Sequence, residues 1–487
     1  MKRQITAPAE PSDTGCERTG SHRWSLASLS LATLLSALGT SIANVGLPAI
    51  AHAFEAPFQD VQWVVVAYLL AITALIVGAG RLGDIVGRRR LLLTGIGLFT
   101  LAFGLAGLAP TLWLLVAARA MQGVGAAIMM ALGMAFVAET VPKERVGSAM
   151  GLLATMSAIG TALGPSLGGA LISGFGWRAV FLVTVPLGML TYGLARRHLP
   201  AHRHVAATTP ARIDVAGTIL LASTLTAYAL AMTTGRGHFG TVNIALLLLA
   251  ALGIRVFTMV ETRVASPLVD LAMFRDPLLC ASLMANGLVS TVMMTTLVVG
   301  PFYLARALGL DAAATGLILS AGPVVAALSG VPAGRLVDRF GARPVTMAGL
   351  GAIATGAIAL SILPASCGIP GYLAPIVVIT AGYALFQAAN NTAVMAGIAA
   401  DRRGVVSGLV NLSRNLGLVT GASAMGAVFV LASDASDITL ARPEAVASGM
   451  RLTFAVAAFL VALAIAIALA GRALAASSPA REPSPEN

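Results

Sequence analysis

Between Val215 and Gly235 the chain carries no acidic or basic residue, and runs of this kind recur along almost its whole length. A stretch of ~20 apolar residues is what a helix needs to cross the ~30 Å hydrocarbon core of a bilayer. Marking spans by apolar runs between charged or turn-forming residues predicts spans 1 to 6 at Trp24–Ile50, Val61–Gly80, Leu91–Ala109, Leu112–Ala138, Gly147–Ile172 and Trp177–Ala195. Two more, A and B, follow at Val215–Thr234 and Val242–Val260. Spans 7 to 12 lie at Leu278–Ala305, Ala312–Gly334, Pro344–Leu363, Tyr372–Ala399, Gly404–Leu431 and Leu452–Ala470. The composition agrees: 57% of the residues are hydrophobic and only 10% are charged, against roughly 25% in a soluble domain. A soluble globular protein, a disordered chain and an outer-membrane barrel are thereby excluded, the last because the apolar runs do not alternate.

The net charge of +11 reads as topology. The basic residues are scattered between apolar runs with no interleaved aromatics, which argues against nucleic acid as a partner. With both termini cytoplasmic, 23 of the 31 Lys and Arg fall in cytoplasmic segments. Five are external (Arg178, Arg236, Arg306, Arg442 and Arg451), and Arg119, Arg255 and Arg414 sit inside spans. That bias fits an even number of spans in a bacterial inner membrane. The polar start of the chain has no cleavage pattern after a short apolar core, so the first helix is expected to be retained. The expected organisation is a cytoplasmic tail (1–23), a six-helix bundle (24–197), a linker with the two extra helices (198–277), a second six-helix bundle (278–471) and a second cytoplasmic tail (472–487).

Chemistry other than transport finds no support. Cys16, Cys280 and Cys367 are too far apart to form a metal or disulfide pattern. There is no phosphate-cradling loop, no nucleophile elbow and no His/Cys cluster. No enzyme, metal site or cofactor is expected, and uphill transport would need an ion gradient or a partner. Nothing in the sequence points to an oligomer.

The chain repeats itself. GRLGDIVGRRR at 80–90 returns as GRLVDRFGAR at 334–343, and Gly147, Gly151, Gly160 and Gly164 of span 5 match Gly404, Gly408, Gly417 and Gly421 of span 11. Nearly equal offsets imply two homologous six-helix halves, with A and B between them, and such halves put a substrate site between the bundles. The loop has a physical reading of its own. Gly80, Gly83 and Gly87 allow a close approach and a tight turn. Arg81, Arg88, Arg89 and Arg90 hold it at an anionic membrane face. Asp84 can take a place near a helix N-terminus, and Asp338 belongs to the second copy of the loop. In span 5, Gly160, Gly164 and Gly168, with Gly169 beside them, make a small face, and Pro165 removes a backbone hydrogen bond.

On these motifs the chain resembles the major facilitator superfamily. The loop carries the superfamily resemblance. ALGTSIANVGLPAIA in span 1, ARAMQGVGAAIMM in span 4 and GTALGPSLGGALIS in span 5 resemble its drug/proton antiporters. LFQAANNTAVM and SGLVNLSRNLG in spans 10 and 11, with fourteen spans, resemble its fourteen-helix branch. The resemblance implies an all-α membrane fold, efflux of small amphipathic compounds by alternating access, and protons as the coupled ion. It makes the 80–90 loop a latch of the outward-open state, with Asp84 near Arg403–Val406, and gives Arg119 and Gln122 a role in proton coupling.

One departure stands out: Gly39 occupies the position where the resemblance calls for an aspartate. No acidic residue lies near the middle of a span, so the remaining titrating candidates are His52, Glu55, Asp60, Asp84 and Glu139. A cavity with Arg119 and no carboxylate has a positive field, which favours neutral or anionic ligands. Its expected lining is Thr40, Ser41 and Asn44 of span 1, Met293 and Met294 of span 7, Gln387, Asn390 and Asn391 of span 10, and Arg414 of span 11. Two alternatives stay open: an exporter of one neutral or anionic metabolite, and a membrane sensor that no longer transports.

Overall fold

The computed structural model describes residues 15–56, 58–61, 63–200, 214–233, 240–264, 267–310, 312–396, 398–399, 402–433 and 442–477. Among them every regular element is helical. The first unit comprises α1 (Gly15–Ala53), α2 (Phe58–Val61), α3 (Trp63–Val86), α4 (Arg88–Gly107), α5 (Leu112–Thr140), α6 (Val146–Phe175), α7 (Trp177–Leu182) and α8 (Thr184–His198). Then come α9 (Val215–Thr233) and α10 (Thr241–Glu261). The last unit holds α11 (Pro277–Phe302), α12 (Ala312–Leu319), α13 (Ala321–Phe340), α14 (Ala342–Ile362), α15 (Gly368–Ala396), α16 (Arg403–Ala432) and α17 (Pro443–Ser477). Among the described residues twelve helices are long and apolar enough to cross a bilayer. The remaining two predicted spans appear as shorter apolar helical stretches, Val146–Thr161 and Ala216–Met232, so by that measure the count is twelve plus two.

Several boundaries differ from expectation for local reasons. Span 6 is two helices meeting at Val183, and span 8 is two meeting at Ser320, breaks that an uninterrupted apolar run hides. α11 ends in a π-turn at Tyr303–Ala307, just after Pro301 removes a backbone donor. α17 starts nine residues before the predicted Leu452, because Pro443 and Glu444 suit a helix N-terminus and their polarity does not stop the helix.

The packing falls into repeats. In the first unit α1 packs on α6, and α3 and α4 pack on α5; in the last, α14 packs on α15 and α11 on α16 and α17. Two large apolar cores result, one centred on Leu35, Tyr68 and Phe99, the other on Val289, Ile353 and Phe454. The units meet along two seams, α3 against α16 and α6 against α13. The helix pair α9–α10 leans on α3 and α16.

Candidate transport site

The seams between the units are built of glycine. A side-chain carbon added at Gly80 would lie 2.2 Å from the Gly404 carbonyl oxygen, and one at Gly151 would lie 2.3 Å from that of Gly330. Gly147 and Gly334 meet in the same way. No side chain fits, so backbone crosses backbone. Each contact lies toward the end of the bundle that carries the 80–90 loop, which we call the motif end.

At that end the aspartate of each loop copy caps a helix of the other unit. Asp84 accepts hydrogen bonds from the Gly404 and Val405 amides, both at 3.2 Å, at the start of α16. Asp338 accepts from the Ser148 amide at 2.9 Å, and from its hydroxyl, at the start of α6. A carboxylate there satisfies donors that have no partner inside the helix and meets the positive end of the helix dipole. Arg88 ties Asp84 (2.8 Å) to Glu139 (2.9 Å), and Gly87, at φ 106, allows the turn that brings Arg88 back. Arg89 donates to the Arg196 carbonyl at 2.6 Å, while Gly83 packs on Leu132. Arg81 makes no hydrogen bond or ion pair among the described residues.

Two bonds at the seal were not expected from sequence. Arg403 donates to the Ala138 carbonyl (3.3 Å), and Asn411 donates to the Met130 carbonyl (3.1 Å). Asn411 is an ordinary polar residue in an apolar helix, and only its cost at depth marked it. Met130 is ten residues from the end of α5, so the described hydrogen bonds between the units lie within roughly 15 Å of the motif end. Farther out α1 and α11, the first span of each unit, scarcely touch.

Arg119 is fully buried within the first unit. Its guanidinium donates to the carbonyls of Val64 (2.8 Å) and Gly39 (3.1 Å) and to Gln122, and lies 4.2 Å from the centre of the Tyr68 ring. Among the described residues no carboxylate bonds it. Gly39 also faces the bundle interior: a side-chain carbon there would lie 3.0 Å from Phe99 Cζ and 3.4 Å from Phe103 Cζ and Tyr68 Oη. Three aromatic side chains crowd the position where an aspartate was expected.

The predicted lining divides. Ser41 is buried against α6, donating to the Gly160 carbonyl at 3.1 Å, and Gly164 closes on its hydroxyl. It belongs to the α1–α6 contact and not to a lining. Gly160 packs on Leu34 and Ala37, Gly168 is buried, and Gly169 faces open space. The side chains of Pro165 and Asn44 lie outside the described residues. Thr40 donates to the Ser36 carbonyl and meets Tyr68 Oη. Met294 touches α16 at Gly421, and Met293 packs on the second core. Gln387 donates to Tyr383 Oη at 2.7 Å. Asn390 Nδ2, Asn391 Oδ1 and Arg414 Nε are buried without a partner. Arg414 stands one turn beyond Asn411, just past the seal, and Asn286, which donates to the Val410 carbonyl, is a further polar group at that depth.

A family model described as Major Facilitator Superfamily matches residues 29–422. The riboflavin transporter RibZ of Clostridioides difficile (strain 630) is 28% identical over 402 residues, covering 82% of this chain and 86% of that protein. The multidrug resistance protein Stp of Mycobacterium tuberculosis (strain CDC 1551 / Oshkosh) is 31% identical over 402 residues, covering 80% and 73%. Among solved structures, the proton:xylose symporter XylE aligns with a TM-score of 0.65 at 14% identity, over 92% of this chain and 96% of that one, a likeness of fold.

Proposed function

The chain belongs to the major facilitator superfamily, and from that membership we propose that it exports small amphipathic compounds across a bacterial inner membrane by alternating access. It is a transporter and not an enzyme, and it crosses the membrane many times. The observation that carries the proposal is the seal confined to one end of the bundle, with Asp84 and Asp338 each gripping a helix of the opposite unit. A lock at one end only is what rocking two repeats about a central site requires. With both termini and the motif loops on the cytoplasmic side, as the basic residues imply, the closed end faces inward and the molecule stands open to the outside. Kinship with a protein named for multidrug resistance supports export. The relative named as a riboflavin transporter adds a non-drug compound to the kin's substrates.

The second reading, a neutral or anionic substrate, is favoured by a specific observation. Arg414 lies just past the seal, Arg119 has no acidic partner, and no carboxylate faces either among the described residues. An uncompensated positive field disfavours permanent cations.

The test is proton movement in everted vesicles with an acid interior, on adding cationic, neutral and anionic amphiphiles. Collapse of the gradient evoked by a neutral or anionic compound, and absent without the protein, is the expected result. Silence across the panel would overturn antiport, and a response confined to quaternary ammonium dyes would overturn the charge preference.

A further inference from the structure

The helix pair between the two units carries a carboxyl pair that the sealing contacts do not use. Asp214 precedes the first turn of α9, and Glu261 is the last residue of α10. The two helices run antiparallel, so both acids sit at the motif end. A side-chain carbon built on Gly217 would lie 2.4 Å from Asp214 Oδ2 and 2.6 Å from Glu261 Oε1. Those oxygens are therefore within about 5 Å of each other, a spacing at which two carboxylates compete for one proton. Asp214 Oδ1 accepts from the Gly217 amide at 2.7 Å, while its Oδ2 has no partner. Glu261 is 3% exposed, and neither of its oxygens has a hydrogen-bond partner. A buried carboxyl aimed at another, with no hydrogen bond of ordinary geometry, is costly as a free anion.

The groups around the pair are few. On α9's side stands Asp214 itself. From the segment after α10, the amides of Leu268 and Val269 face Glu261 without closing a hydrogen bond of ordinary geometry. From α3 comes Arg81, whose charge acts on Glu261. α3 meets α9 just there, since Gly78, one turn before Arg81, packs on Thr218. Arg81 belongs to the sealing loop, three residues from Asp84.

We propose that Asp214 and Glu261 form a proton-binding site shared between α9 and α10, and that Arg81 couples its occupancy to the loop that seals the motif end. In the sealed state the pair holds one proton between its facing oxygens. When the seal loosens and Arg81 moves toward the pair, the O–H proton leaves to the adjoining aqueous phase and the guanidinium compensates the carboxylate that remains. The site offers an acidic group at the gate in a molecule whose first span has Gly39 in place of an acid. Its role in coupling rests on the proton-antiport reading above; its existence does not.

The test is infrared spectroscopy of the purified full-length protein in lipid nanodiscs at about pH 7, where exposed carboxyls have ionised. The wild type should show the C=O stretching band of one protonated carboxyl. Glu261→Gln should lose it, and Asp214→Asn should diminish it, because the neighbouring like charge is gone while burial still favours the neutral acid. In Arg81→Gln the band should grow. Absence of the band in a monodisperse wild type, or its survival at full amplitude in either amide variant, overturns the site. Indifference to Arg81→Gln overturns the coupling. Should Glu261→Gln fail to fold, Asp214→Asn alone decides. A band that obeys these expectations together with silent vesicles would keep the site and remove the antiport reading.

Discussion

Arg119 is a full charge in the interior of an apolar bundle, and its surroundings explain how it is tolerated. Two carbonyls, one amide oxygen and the face of Tyr68 replace much of the water it would otherwise have, while Nη2 is buried without a partner. Removing the side chain leaves those acceptors facing a gap, at ~1–3 kcal/mol for each group left unsatisfied. Arg119→Leu should therefore lower the stability of the purified protein by about 3 kcal/mol and stop transport. Gln122→Ala removes one of the bonds and should cost about 1 kcal/mol. Thermal melts of the two variants against wild type check this, and an unchanged melt for Arg119→Leu would refute the account. The sequence showed Arg119 as anomalous by its depth and Gly39 as a departure from the resemblance. It could not show that the two meet through a carbonyl, or that Tyr68 covers the guanidinium, because those contacts join three different helices.

At the scale of the element, the spacing of Gly160 and Gly164 puts them on one face of α6, but spacing alone does not say which helix that face meets. Gly160 and Gly164 hold α6 against α1, and Ser41, expected in the lining, is consumed in that contact. Gly169, in the same motif, has nothing within 4 Å. Sequence spacing is equal for residues that pack and residues that do not; only the neighbouring helix tells them apart. The consequence is a contrast between glycines that pack closely and one that does not. Gly164→Leu and Gly151→Leu should abolish transport while the protein still inserts, since each forces a side chain into a space of less than a contact distance. Gly169→Ala should transport as wild type. Measuring export beside surface expression for the three variants checks the contrast, and an inactive Gly169→Ala would mean that the motif acts other than by packing. The breaks at Val183 and Ser320 were illegible for a related reason: an apolar run has the same composition whether its helix is continuous or interrupted.

For the whole molecule, the repeat legible in the sequence becomes a pair of locks, one on each seam. They are equivalent in topology and unequal in strength. The Asp84 side chain is only 2% exposed, accepts two backbone amides and is charge-paired to Arg88. Asp338 is exposed and accepts from the Ser148 amide and hydroxyl. A surface carboxylate at a helix N-terminus contributes ~0.3–1 kcal/mol, and a partly buried one up to ~2 kcal/mol. Asp84→Asn should therefore shift the balance away from the sealed state by about 2 kcal/mol, roughly thirtyfold in population, and Asp338→Asn by about fivefold or less. The two sites lie on different seams and share no partner, so the double variant should show nearly the sum of the two free-energy shifts. Distances between spin labels placed across the motif end, in the single and double variants, measure the three populations. Equal effects would mean that burial does not set the strength of the locks. An effect of the double variant well beyond the sum would mean that each seam closes only when the other has, so that the repeat acts as one cooperative gate.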